Sequence, residues 1–243
     1  MGILTIFMEK YSARLNRLSF SQTFVMSNKV REMKAKGIDV ISLTLGEPDF
    51  DVPQNIKTAA FEAINNNFSH YSPVPGFLDL RQAICDKLKR DNNLEYQPSQ
   101  ICVSNGAKQS IINVLAAVID DGDEVILPAP YWVSYDEMVK MMGGKSVFIE
   151  TSIETEFKIT AEQLEKAITP KTKVLLYSSP CNPSGSVYTY EELEKIANVI
   201  ARYPQITIIS DEIYEFINYD GKHTSIAQFP QVYEQTAVIN GMS

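Results

Sequence analysis

Four short stretches carry side chains able to do chemistry on a small ligand. In "ISDEIY" (209–214) an apolar run delivers Asp211 to the point where a strand should end, and Tyr214 follows three residues later. A carboxylate there either caps the following turn or faces a buried cation such as a protonated ring nitrogen. Residues three apart share one side of a helical turn, so Tyr214 would accompany it. In "VSNGAKQSIINVL" (103–115) a strand-like run meets a glycine, and helical periodicity begins near Gly106. A helix start presents free N–H groups and partial positive charge suited to a phosphate, with Lys108 and Ser110 as further donors. A purely structural turn is the competing reading. In "SSPCNPSGSVY" (178–188) prolines flank Cys181–Asn182 in a stiff loop whose composition admits a cis peptide before Pro183. That loop either punctuates the chain or holds the Asn182 amide over a ligand at the carboxyl ends of the strands. "PYW" (130–132) places the only tryptophan, Trp132, where it could stack on a flat ring or fill a core.

Larger elements must deliver these groups. The runs at 39–45, 100–104, 123–128, 145–151, 172–179, 205–210 and 236–240 read as strands, mostly continuous apolar stretches of the kind buried on both faces. Helical patterns lie between them. Thr160 with Gln163, and Thr189 with Glu192, are capping boxes ahead of apolar periodicity. Such alternation predicts an α/β fold, a mostly parallel sheet with helices on both faces. A helix from Thr23 to Lys36 ends at Gly37 and leads into a turn-rich stretch. We read 1–11 as a disordered lead, 12–49 as an N-terminal arm with part of a small subdomain, and 50–243 as the main domain.

Composition narrows the function. The chain has 22 basic and 30 acidic residues, a net charge of −8, which argues against a nucleic-acid or anionic-membrane surface. Its two histidines, His70 and His223, and its three scattered cysteines, Cys85, Cys102 and Cys181, form no metal-ligand spacing and no disulfide framework. No metal site is expected, and the cysteine usage fits a reducing cytoplasm. The apolar "MGILTIF" lacks the flanks of a signal peptide and the length of a membrane span.

In this order, "LTLGEPDF", "HYSPVPGFLDLRQAI", "NGAKQ", "PAPYWVSY", "SSPCNPSG", "SDEIYE" and "NGMS" resemble the class I aminotransferases, fold-type I enzymes that use pyridoxal 5′-phosphate (PLP). The resemblance runs from about residue 12 to the last residue and implies that 50–243 is the PLP-binding large domain. It implies that Asp211 pairs with the pyridinium nitrogen, so that the ring acts as an electron sink. Tyr214 and Asn182 would reach the ring's 3′-oxygen, Asn182 also the substrate carboxylate, and Trp132 would stack on the ring. The backbone of Ala107 and Lys108 would hold the phosphate. Tyr71 matches a tyrosine that reaches the neighbouring subunit's phosphate in a homodimer, and Gly46 a glycine that lets the N-terminal segment close on substrate.

Within the family the chain is most similar to bacterial aspartate aminotransferases, in which the positions of Lys108 and Thr23 help to recognise a side-chain carboxylate. The activity implied is ping-pong transamination between aspartate or glutamate and a 2-oxo acid such as 2-oxoglutarate. The resemblance also implies a Schiff-base lysine directly after Ser243 and a large domain incomplete at its C-terminus, so that the chain as written lacks the catalytic lysine. Other expectations stay open: a C–S β-lyase or aminocyclopropane carboxylate synthase on the same fold, an aromatic or prephenate aminotransferase, a regulator's effector domain, or a non-catalytic dimerisation module.

Overall fold

The apolar runs become five strands in the computed structural model, which describes residues 11–19, 22–44, 46, 47, 49–219 and 221–242. The expected N-terminal lead, apart from Tyr11, lies outside the described residues. The strands are β1 (Glu124–Ala129), β2 (Lys145–Glu150), β3 (Thr172–Ser178), β4 (Thr207–Asp211) and β5 (Thr236–Ile239). They form one sheet in the order β2-β1-β3-β4-β5, with every neighbouring pair parallel. The helices are α1 (Ala13–Asn16), α2 (Gln22–Ala35), α3 (Gln54–Asn65), α4 (Leu78–Asn92), α5 (Ala107–Val118), α6 (Ser134–Met141), α7 (Ala161–Ala167) and α8 (Tyr190–Ile200).

Side chains alternate across a strand, and the sequence uses both sides. Val125, Leu127, Val174, Leu176 and Ile209 pack with Ile111 and Leu115 of α5 and Tyr135, Met138 and Val139 of α6. Ile126, Leu175 and Ile208 pack on the opposite side with Leu164 of α7 and Leu193, Ile196 and Ile200 of α8. Parallel strands covered on both faces explain the unbroken apolar runs. Both predicted capping boxes are present: Thr160 Oγ1 accepts from Gln163 N–H at 3.2 Å, and Thr189 Oγ1 accepts from Glu192 N–H at 3.3 Å.

Two expected strands do not form. Residues 39–44 are irregular, with Ile41 87% and Leu43 92% exposed. Apolar, β-branched composition makes a strand only where a partner edge is available. Residues 101–104 are extended but unladdered; Val103 N–H donates to Pro75 O at 3.0 Å.

The chain divides into two compact units, one of them Ser19–Val74. That unit contains α2, which ends ahead of Gly37, and α3, whose Ile56, Phe61 and Ile64 are exposed. Within it Ser27 Oγ donates to Thr44 Oγ1 at 3.3 Å. The other unit holds the whole sheet. Among the described residues no helix is long and apolar enough to cross a membrane.

Gly76 adopts φ +97°, and a Cβ there would sit 2.7 Å from Val103 Cγ2. The Gly76→Ala variant is therefore expected to lose about 1–3 kcal/mol of stability through strain and clash together. Urea unfolding tests this; an unchanged midpoint would contradict it.

Candidate active site

β4 ends on Asp211, which is 3% exposed. Its Oδ2 accepts from the Tyr135 hydroxyl at 2.5 Å and its Oδ1 from the Ile213 N–H at 3.3 Å. Burial pushes the carboxyl pKa up, the two hydrogen bonds pull it down, and the neighbouring Glu212 charge adds a small upward push; it rests above its ordinary value. Among the described residues no lysine, arginine or histidine contributes to that balance. Burial and the Asp211 charge drive the Tyr135 phenol far above its usual value, so it stays a donor. Asp211 does accept from a nearby N–H, as a capping residue would, but its depth and its bond to Tyr135 go beyond a cap.

Tyr135 was not singled out from the sequence. Its signal was its place in "PYWVSY", three residues after Trp132 and in the first turn of α6, where both rings come together. Trp132 and Tyr135 meet edge-on with centroids 5.6 Å apart. Lys108 is exposed, and its Nζ lies 4.8 Å over the Trp132 ring. Trp132 is half-buried against the α5–α6 side of the core, as is Ala107.

The parallel register sets Ser178 beside Asp211, and Ser179 N–H donates to Asp211 O at 3.1 Å. The loop after β3 therefore starts next to the carboxylate. It is closed by Cys181 N–H to Ser186 O at 2.9 Å and Gly185 N–H to Cys181 O at 2.7 Å. The peptide before Pro183 is cis, as its composition suggested; those before Pro180 and Pro130 are cis as well. Asn182 Nδ2 donates to the Tyr214 hydroxyl at 3.4 Å, linking the loop after β3 to the turn after β4.

α5 begins at Gly106, which caps it with φ +85°. A Cβ there would meet nothing within 4 Å, so the backbone is open on that side. The N–H groups of Gln109 and Ser110 bond back to Gly106 O at 3.1 and 3.3 Å. Those of Ala107 and Lys108 have no acceptor among the described residues.

The structure thus connects Lys108, Trp132 and Asp211 through Tyr135, and joins Asn182 to Tyr214 at the carboxyl edge of the sheet. Thr23, Gly46 and Tyr71 belong to the Ser19–Val74 unit. Thr23 lies in α2, Gly46 is exposed in open space, and Tyr71 is fully exposed. The expected lysine after Ser243 lies outside the described residues.

A family model described as aminotransferase class I and II matches residues 38–243. The chain is 51% identical over 237 residues to an aspartate aminotransferase of Bacillus sp. (strain YM-2), covering 97% of this chain and 60% of that protein. It is 48% identical over 236 residues to an aspartate/prephenate aminotransferase of Nitrosomonas europaea, with 96% and 59% covered. The crystal structure of an aspartate aminotransferase from Rhizobium meliloti superposes with a TM-score of 0.92 at 39% identity, covering 95% of this chain and 58% of that one. The Thermus thermophilus aspartate aminotransferase with maleate gives 0.92 at 40% identity, with 96% and 60% covered. The chain spans less than two thirds of the length of each of these relatives.

A carboxyl group with a raised folded pKa favours the protonated fold. Its contribution to stability is full below the unfolded pKa and is lost as pH rises through the folded one. Asp211→Asn should therefore raise the thermal midpoint of the cofactor-free protein at neutral pH by several degrees, and the gain should shrink as the pH falls through the carboxylate range. A midpoint lowered at neutral pH would contradict this.

Proposed function

The chain belongs to the class I and II aminotransferases, and from that membership we propose that it binds PLP and exchanges an amino group between aspartate or glutamate and a 2-oxo acid. The observation that carries this reading is Asp211, a dehydrated carboxylate with no cation beside it among the described residues, at the edge of the sheet where α/β folds bind ligands. A protonated ring nitrogen is the partner its chemistry calls for. The two N–H groups without an acceptor among the described residues at the start of α5 suit the phosphate, and a half-buried indole suits the ring, so the donor set fits the cofactor. Bound there, PLP supplies an electron sink for the charge that develops at the substrate α-carbon when a proton leaves.

The protein's own part is to hold, orient and discriminate. Asp211 keeps a proton on the ring nitrogen, and Tyr135, with its raised pKa, holds the carboxylate in place by donating to Oδ2. Tyr214 and Asn182, already joined by a hydrogen bond, would hold the ring's 3′-oxygen, and Asn182 would also meet the substrate α-carboxylate. Trp132 offers its ring face, and the N–H groups of Ala107 and Lys108 take the phosphate. The Lys108 ammonium, held over the Trp132 ring, is available to a second carboxylate on the substrate. Thr23 assists it, and Gly46 lets the N-terminal segment close.

Tyr71, fully exposed, reaches the phosphate of a neighbouring copy in a cytoplasmic homodimer. Residues 50–243 carry the cofactor and 12–49 form the arm and part of the small domain. Prephenate is a second amino acceptor under this reading. Relatives bear the name aspartate/prephenate aminotransferase, and prephenate combines a 2-oxo acid with a second carboxylate that Lys108 can meet.

Spectral titration of the protein with PLP tests the reading, together with amino transfer from aspartate to 2-oxoglutarate or prephenate in the full-length protein. Saturable PLP binding is expected, and its absence would overturn the reading. Lys108→Ala should raise KM for aspartate about tenfold or more while changing KM for an uncharged donor little, the scale of one lost charge-assisted hydrogen bond. Equal effects on both donors would remove Lys108 from substrate recognition.

A further inference from the structure

Glu215 and Asn240 have no place in the roles assigned above, yet they belong to a densely connected buried polar group at this edge. The Glu215 side chain is 3% exposed. Its Oε1 accepts from Asn240 Nδ2 at 2.7 Å and from Lys87 Nζ, and its Oε2 accepts from Asn92 Nδ2 at 2.7 Å. Lys87 Nζ also donates to Asn92 Oδ1 at 2.8 Å. Burial would raise the Glu215 pKa, but the donors from Asn92, Lys87 and Asn240 outweigh it and hold the carboxylate ionised.

The other end of the Asn240 amide is equally engaged: its Oδ1 accepts from the Gly241 N–H at 2.8 Å. The rotamer of Asn240, set by Glu215, therefore sets the direction of the backbone at Gly241. On either side of it lie two more contacts with the turn after β4. Glu212 N–H donates to Ile239 O at 2.8 Å, and a Cβ on Gly241 would meet Ile213 Cδ1 at 3.0 Å. Three successive residues leaving β5 are thus matched to three positions of the turn that follows Asp211.

We propose that Glu215 is a positioning residue: through the Asn240 amide it fixes the backbone of Gly241–Met242 relative to Asp211, and so sets the geometry of the cofactor seat from behind. The inference rests on the reading of this edge as the PLP site. The amide is essential because it donates to Glu215 with one end and accepts from Gly241 with the other. Asn240→Asp would set two carboxylates of like charge against each other. Glu215→Gln would turn an amide N–H toward the donors of Lys87 and Asn92. Combined, the two changes restore a donor–acceptor pair with the direction reversed, the new amide on the turn after β4 giving to the new carboxylate after β5, while Lys87 Nζ loses its acceptor at position 215 and keeps Asn92 Oδ1.

The test compares E215Q, N240D and the double variant in the full-length protein. PLP dissociation constants come from quenching of tryptophan fluorescence, and the exchange rate of the Gly241 amide comes from NMR. N240D should weaken PLP binding about tenfold or more and speed Gly241 exchange by a similar factor, as expected for a part-buried hydrogen bond turned repulsive. The double variant should return both quantities to within about threefold of the parent. A merely structural role would leave the PLP affinity of N240D at the parental value, and that result would overturn the proposal, as would unchanged Gly241 exchange in N240D or additive losses in the double variant. Should N240D fail to fold, the double variant decides by folding with near-parental exchange or failing to. A parent protein that binds no PLP would sink the cofactor reading instead, while the exchange rates would still judge the clamp.

Discussion

A dehydrated carboxylate with no cation beside it among the described residues, Asp211 at the end of β4, is the constraint around which this structure is arranged. Removing a carboxylate from water is costly unless donors or a positive charge compensate. Here one phenol and one backbone N–H are the donors, and the pKa stays raised, so the compensation is partial. A site in that condition gains most from a ligand that brings its own positive charge, and its unliganded fold is less stable for it.

The parallel sheet is what makes such a site possible. Helices cover both faces, so the carboxyl edge is the place where strand ends can meet a ligand without breaking the core. Alternation along β4 then separates its polar groups. Asp211 turns toward Tyr135 and the α5–α6 side. Ser210 and Glu212 turn toward the other side, where Glu212, fully buried, accepts from Ser225 Oγ at 2.6 Å and Ser210 Oγ at 2.9 Å, and lies 2.9 Å from His223 Nε2. Two adjacent buried carboxylates thus have separate partner sets. Of these two carboxylates, only Asp211 lacks a cationic or potentially cationic partner among the described residues.

Much of this was legible in the sequence because it is local. Buried parallel strands read as apolar runs, and the two threonine capping boxes and the glycine that opens α5 are written within a few residues of the helices they start. The stretches 39–44 and 101–104 misled because strand composition says nothing of whether a partner edge exists. Tyr135 reaches Asp211 across 76 positions, and Glu215 gathers Lys87 from 128 positions away. No periodicity or cap encodes such pairings, since they arise from the order in which the strands assemble. Asp211 itself could be located from the strand that delivers it, but whether it was a cap or a charge partner depended on a tyrosine distant in sequence.

The protonation state of the ring nitrogen in bound PLP tests the central claim most directly. With 15N-labelled cofactor, the nitrogen shift should report a protonated ring at about pH 8, well above the pKa expected without a partner carboxylate, and Asp211→Asn should abolish that protonation. A neutral ring nitrogen in the parent protein, or a protonated one that persists in the variant, would contradict the account.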